Sequence, residues 1–179
     1  MLKQQDQQTG SATKPTSAAQ SGLVWLWLTI VLIILDQVSK VWVSNSFSLY
    51  ESISIMPMFN FTYVHNEGAA FSFLSDAGGW QRWFFTAIAV AISSLLVYWL
   101  RGLHKAEKLL AVSYALVLAG AVGNLIDRVA YGYVIDFLDV YYQQYHWPAF
   151  NIADVAICIG AGLIIVEAFT TSSSSTQES

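Results

Sequence analysis

Charge is what this sequence has least of. Only 11% of its 179 residues are Asp, Glu, Lys or Arg, and the eight basic ones form no long run. No electrostatic footprint for nucleic acid exists. Cysteine occurs once, as Cys158. It can form no internal disulfide, and inside an apolar segment its expected role is small hydrophobic filler. The three histidines, His65, His104 and His146, are scattered, and no HExxH is present. Neither a metal site nor a cofactor is expected. No G-x-S-x-G occurs, and Ser39 and Lys40 are adjacent rather than spaced as a serine–lysine dyad.

Apolar residues fill the space that charge leaves. The chain is 55% hydrophobic and 15% aromatic, with a mean hydropathy of +0.50. That composition belongs to the membrane class. Four stretches approach the ~20 helical residues a bilayer needs: Leu23 to Val43, Trp83 to Leu100, Leu109 to Leu125, and Ile152 to Phe169. The first follows a long polar leader and has no small-residue cleavage site after it, so it reads as an uncleaved span. Residues 1–22, with Pro15, and residues 170–179 are polar and read as disordered cytoplasmic tails on a four-span domain over 23–169. Tryptophans fall near span ends or in adjoining loops, where indoles favour the headgroup level.

Lys3, Lys14, Arg101, Lys105 and Lys108 lie on one side of the predicted membrane, against Arg82 and Arg128 on the other. The positive-inside rule puts both termini in the cytoplasm and the loops 44–82 and 126–151 outside. The first outer loop, "FSLYESISIMPMFNFTYVHN", is β-branched, aromatic and partly alternating, which suggests short strands or an interfacial platform. Gly78 and Gly79 read as a turn or hinge.

The scarce polar groups gather at one side. Span one ends in "LDQVSK", where Asp36 and Lys40 are i,i+4 neighbours able to pair. Span three ends in "GNLIDR", with Asn124, Asp127 and Arg128 within about one turn. Span four opens with "NIAD", so Asn151 and Asp154 share a face. This sorting predicts a polar cleft at the outer surface, with no charge at the bilayer centre. Asp36 with Lys40 reads equally as a structural ion pair, and Asp127 with Arg128 as an interfacial anchor. Arg128 also suits a lipid phosphate. Asp139 reads as a solvated loop charge. Asp154 stands apart, because no basic residue lies within a helical turn of it in sequence.

Two carboxyls close together can share a proton, since both cannot easily ionise. The ionised one can deprotonate water while the protonated one polarises a substrate. Asp136, in the loop approaching span four, and Asp154 are the candidate pair.

The segments "DQVSK", "HNEGAAFS", "GNLIDR", "VIDF" and "FNIADVAI" resemble, in this order, the motifs of bacterial lipoprotein signal peptidases, the signal peptidase II family. The resemblance covers about residues 25 to 168. It implies an all-α fold of four transmembrane helices with a small extracytoplasmic β-structured cradle on the membrane, near a mobile periplasmic helix. It implies a multi-pass aspartic endopeptidase of the bacterial cytoplasmic membrane with its site at the outer leaflet. Such an enzyme cuts diacylglyceryl-modified prolipoproteins before the lipid-bearing cysteine, with membrane lipids as its other partners. Asp136 and Asp154 would be catalytic. Asp36, Lys40, Asn66, Gly68, Asn124, Arg128 and Asn151 would surround them as supports or substrate contacts, Asn124 or Asn151 steadying an intermediate or orienting the dyad. Asp127 and Lys40 are expected to be structural.

Two other readings compete. A transporter would need a charge near mid-span for a proton relay, and a non-catalytic lipid-binding assembly factor would tolerate Asp-to-Asn changes. "GAVGN" and "GAG" permit close helix packing, within the chain or between chains. Four spans can form a bundle unaided, so a monomer is expected.

Overall fold

A computed structural model describes residues 17, 20–68, 79–104 and 106–176. The apolar runs form α1 (Leu26–Ser46), α2 (Trp80–Gly102), α3 (Lys108–Ala130) and α4 (Ile152–Thr176). One 3-10 turn, Gly22–Trp25, leads into α1. All four helices are long and apolar enough to cross a bilayer, and the chain is a multi-pass membrane protein. The last helix continues past Phe169 to Thr176, because "TTSSSST" contains no Gly or Pro to stop it. Its membrane-length part is Ile152–Thr170.

α3 is the axis of the bundle. It packs on α1, α2 and α4, and it buries far more of its apolar window than the other three do. Those three turn large side chains such as Ile34, Val38, Ile92 and Ile165 outward, as lipid-facing helices must. Small residues let α3 sit at the centre: Ala111, Ala115, Ala119, Gly120, Ala121 and Gly123 are all buried. A Cβ on Gly120 would overlap the Ala153 carbonyl of α4. The small residues of "GAVGN" are thus used for packing within the chain.

At the end where α1 and α3 finish and α4 begins lies a four-stranded antiparallel meander, in the order β1-β2-β3-β4. Strands β1 (Ser52–Met56) and β2 (Phe59–Asn66) come from the first long loop. The others, β3 (Val134–Tyr142) and β4 (Tyr145–His146), come from the second. β2 and β3 pair Asn60 with Asp139, Val64 with Asp136 and Asn66 with Val134, with an irregularity between Phe61 and Val64. The segment holding Asp136 and Asp139 is therefore strand rather than loop. Its composition, "VIDFLDVYY", carries the β-branched and aromatic signal of a strand. Val43 of α1 packs against Tyr63, Ile135 and Phe137 beneath the sheet, which seats the strands on the helix ends. A second core cluster closes the other end of the bundle around Leu96, Leu100, Ala111 and Leu118.

Gly79 precedes α2 in the left-handed region, with φ of 93°, as a turn glycine would. Residues 1–16, 18, 19 and 177–179 of the expected tails, and Gly78, lie outside the described residues. The mobile helix expected beside the cradle has no counterpart among the described residues.

Candidate active site

Residues three or four apart share a helix face, so each span delivers its polar groups as a set. Under the sheet the sets meet, α1 bringing Asp36, Gln37 and Lys40, and α3 bringing Asn124, Asp127 and Arg128. Asn151 and Asp154 open α4, Asn66 ends β2, and Asp136 lies on β3.

The first assembly is a buried ion cluster. Lys40 Nζ lies 2.8 Å from Asp36 Oδ2 and 2.9 Å from Asp127 Oδ2, with all three side chains at most 1% exposed. Each carboxylate also anchors backbone. Asp36 Oδ1 accepts the Ala153 N–H at 2.9 Å, and Asp127 Oδ2 accepts the Ile135 N–H at 3.1 Å. Gln37 Nε2 donates to Asp36, Asp127 and the Gly123 carbonyl. These bonds tie α1 and α3 to the start of β3 and the first turn of α4. Gly123 is required there, because a Cβ would stand 2.7 Å from Asp36 Oδ2.

The second assembly is held by amides. α4 opens with a reciprocal cap: Asn151 Oδ1 accepts the Asp154 N–H at 3.0 Å, and Asp154 Oδ2 accepts the Asn151 N–H at 3.2 Å. Asn151 Nδ2 donates to Asp136 Oδ1 at 2.6 Å, and Asn66 Nδ2 donates to Asp136 Oδ2 at 2.9 Å. Asn124 Nδ2 donates to Asp154 Oδ1 at 2.9 Å. Among the described residues, neither Asp136 nor Asp154 has an ion-pair partner.

Both carboxyls line a cavity of about 300 Å³, walled by Trp147, Pro148 and Phe150 and by Val155 and Ile159 of α4. Burial raises the Asp136 carboxyl to about 7, and the negative charge of Asp154 adds to the rise. The hydrogen bonds from Asn66 and Asn151 and the charge of Lys40 oppose it. An acid of that strength holds its proton for a large part of the time at neutral pH. The site can therefore present one acid and one base to a molecule in the cavity.

The resemblance-derived set falls together here. Asp36 and Lys40 pair as a buried ion pair, and Asn66, Asn124 and Asn151 contact the two carboxyls directly. Gly68 donates its N–H to Asn66 Oδ1 and accepts from Arg128 Nη2 at 3.0 Å. Arg128 also lies over the Phe85 ring.

Three expectations are corrected. Asp139 is 5% exposed rather than solvated, because strand pairing puts it under Asn60, Thr62 and His146, which bond it. Asp127 does not form an interfacial anchor with Arg128: it turns inward to Lys40 while Arg128 turns to Gly68. Cys158 is exposed along the cavity wall rather than buried filler, one helical turn beyond Asp154.

Two contributors escaped the sequence reading. Gln37 knits the ion cluster, and its place inside "DQVSK" was the available signal. Arg82 Nε and Nη2 donate to the Arg128 and Val129 carbonyls at the end of α3, a long-range cap with no local signal.

The model of the family described as signal peptidase (SPase) II matches residues 28–170. The lipoprotein signal peptidase of Pseudoalteromonas translucida (strain TAC 125) is 61% identical over 153 residues, which cover 86% of this chain and 92% of that protein. That of Shewanella piezotolerans (strain WP3) is 61% identical over 155 residues, 87% of this chain and 91% of the relative. A solved bacterial membrane enzyme, obtained by the in meso method at 2.3 Å resolution, superposes with a TM-score of 0.76 at 32% identity. The match covers 90% of this chain and 93% of that one.

Proposed function

Since this chain belongs to the signal peptidase II family, we propose that Asp136 and Asp154 are the catalytic dyad with which it removes signal peptides from lipoprotein precursors as a membrane aspartic endopeptidase. The observation that carries the assignment is the pair itself: two carboxyls facing one apolar cavity, each held by amide donors and neither in an ion pair among the described residues.

The chemistry follows from the proton that such a pair shares. The ionised carboxylate takes a proton from water as the water oxygen bonds to the scissile carbonyl carbon. The protonated carboxyl donates to the carbonyl oxygen, giving a neutral tetrahedral intermediate. Collapse breaks the C–N bond, and a carboxyl returns a proton to the leaving amine. Asn66, Asn124 and Asn151 orient the two acids. Gly68 would let an extended substrate strand approach closely and Arg128 would touch the lipid or a substrate carbonyl, while Asp36 and Lys40 hold the ends of α1, α3 and α4 in register.

The substrate is a precursor whose cysteine already carries diacylglycerol, cut on the N-terminal side of that cysteine. Acyl chains held in the bilayer at ~0.8 kcal/mol per CH₂ would present the bond at the membrane surface. The charge asymmetry of the loops supports cytoplasmic termini and a site at the outer leaflet. Residues 23–169 form the peptidase domain, which acts as a monomer.

The test is cleavage of a diacylglyceryl-modified prolipoprotein by wild type, Asp136→Asn and Asp154→Asn in detergent. Both variants should fold, bind substrate and fail to cut. Substantial cleavage by either would remove that residue from the dyad.

A further inference from the structure

Every side-chain amide around the dyad has its oxygen occupied by a group that can only donate. Asn66 Oδ1 accepts the Gly68 N–H, and Asn151 Oδ1 accepts the Asp154 N–H. These two amides are oriented by backbone. Asn124 is different, because its Oδ1 accepts Lys40 Nζ at 3.0 Å and Asn151 Nδ2 at 3.2 Å. Its NH₂ then has one direction left, toward Asp154 Oδ1 at 2.9 Å.

A carboxamide turned by 180° exchanges donor for acceptor. For Asn124 the turned form would set its NH₂ against the ammonium of Lys40 and against the Asn151 NH₂. It would also set its oxygen against the Asp154 carboxylate. The first of these conflicts persists whatever the protonation state of Asp154, so long as Lys40 keeps its charge. Asp36 and Asp127 pair with that ammonium at 2.8 and 2.9 Å.

We infer that Lys40, beyond bracing α1 against α3, is a positioning residue for catalysis: its ammonium locks the Asn124 amide with the donor on Asp154 throughout the reaction cycle. The lock favours the ionised form of Asp154 and gives the symmetric-looking dyad a preferred base. Lys40 itself makes no contact with either dyad carboxyl at hydrogen-bond distance. The charged groups facing Asp154 are Asp136 from β3, Lys40 and Asp36 from α1, and Arg128 from α3. This inference rests on the dyad assignment above.

Replacing Lys40 alone would strand two buried carboxylates, so the test uses charge-free sets. Asp36→Asn/Lys40→Met/Asp127→Asn removes the donor to Asn124. Asp36→Asn/Lys40→Gln/Asp127→Asn offers an amide donor in its place. For the Met set, kcat for prolipoprotein cleavage should fall by about 10- to 100-fold, as for a lost hydrogen bond to a charged group, with KM little changed. The Gln set should recover much of the loss. In an Asn124→Ala background the Met set should cause no further loss, since Lys40 acts through that amide.

Multiplicative losses in the Asn124→Ala background, a rise in KM in place of the fall in kcat, or equal kcat for the Met and Gln sets would each overturn the inference. In the unaltered protein the Asn124 side-chain NH₂ should exchange with solvent far more slowly than exposed amides. Free exchange would overturn it without any variant. Cleavage by Asp136→Asn or Asp154→Asn would instead bring down the dyad assignment, which separates the two failures.

Discussion

Two pairs of aspartates lie side by side under the sheet, and their surroundings differ in one respect. Asp36 and Asp127 share the ammonium of Lys40 and each anchors a backbone N–H. Among the described residues, Asp136 and Asp154 are held by amide and peptide donors and face an apolar cavity. The same residue type serves opposite ends. A buried carboxylate set against a cation is paired with it and acts as a brace. Burial away from water, with another carboxylate opposite, pushes a carboxyl toward holding its proton, as the Asp136 carboxyl near 7 illustrates.

Substitution can break this contrast from either side. The largest effect is expected at the dyad. Asp136→Asn or Asp154→Asn should lower the rate of prolipoprotein cleavage by at least ~10³-fold, in the upper range for a lost acid or base. Asp136→Asn should also raise thermal stability at pH 8. The folded-state value of Asp136 lies above its unfolded value of 3.8, so the wild-type group binds more protons when folded. Its ionisation therefore destabilises the fold as pH rises through about 7, and the Asn variant escapes that loss. A melting curve in detergent at pH 8 that shows no gain would contradict the origin assigned to the raised value.

At the brace, Lys40→Met alone should cost roughly 3–5 kcal/mol of stability, because it leaves two buried carboxylates without their cation. Unfolding followed by circular dichroism should show this, with most of the loss returned when Asp36 and Asp127 are changed to Asn in the same chain. If Lys40→Met melts like wild type, the cluster is no brace.

A smaller change sharpens the dyad's side of the contrast. Asn66 Nδ2 stabilises the ionised form of Asp136. Removing it in Asn66→Leu should raise the Asp136 value further. Activity that needs this group protonated falls as pH rises through about 7, so the basic limb of kcat/KM should shift upward. A downward shift would assign the protonated role elsewhere.

The smallest effect on activity is expected at Asp139, buried in the sheet and not part of the cavity lining. Asp139→Asn should cost about 1–3 kcal/mol in stability through Asn60, Thr62 and His146. Cleavage by the folded protein should remain near wild type. Strong loss of cleavage without loss of stability would mean that the sheet interior takes part in the reaction.

Much of this was legible in the sequence. Four apolar runs announced four spans, because spanning a bilayer depends only on local length and hydropathy. The pairing of Asp36 with Lys40 and the shared face of Asn151 and Asp154 followed from the helical period, which is also local. Even the concentration of polar groups at one end needed only the order of the spans. By itself, then, the sequence determined the bundle, its polar end and the residues available there.

Tertiary structure decided how those residues divide their work. β2 and β3 come from different loops, separated by α2 and α3, so no local pattern announces their pairing. That pairing turned an expected loop into a strand, buried Asp139 and brought Asp136 against Asn66. Likewise only the packing of α1 on α3 put Asp127 beside Lys40 instead of Arg128. Whether an aspartate becomes a brace or an acid depends on the charge and the dielectric within a few ångströms of it. Those few ångströms are filled by residues far apart in the chain.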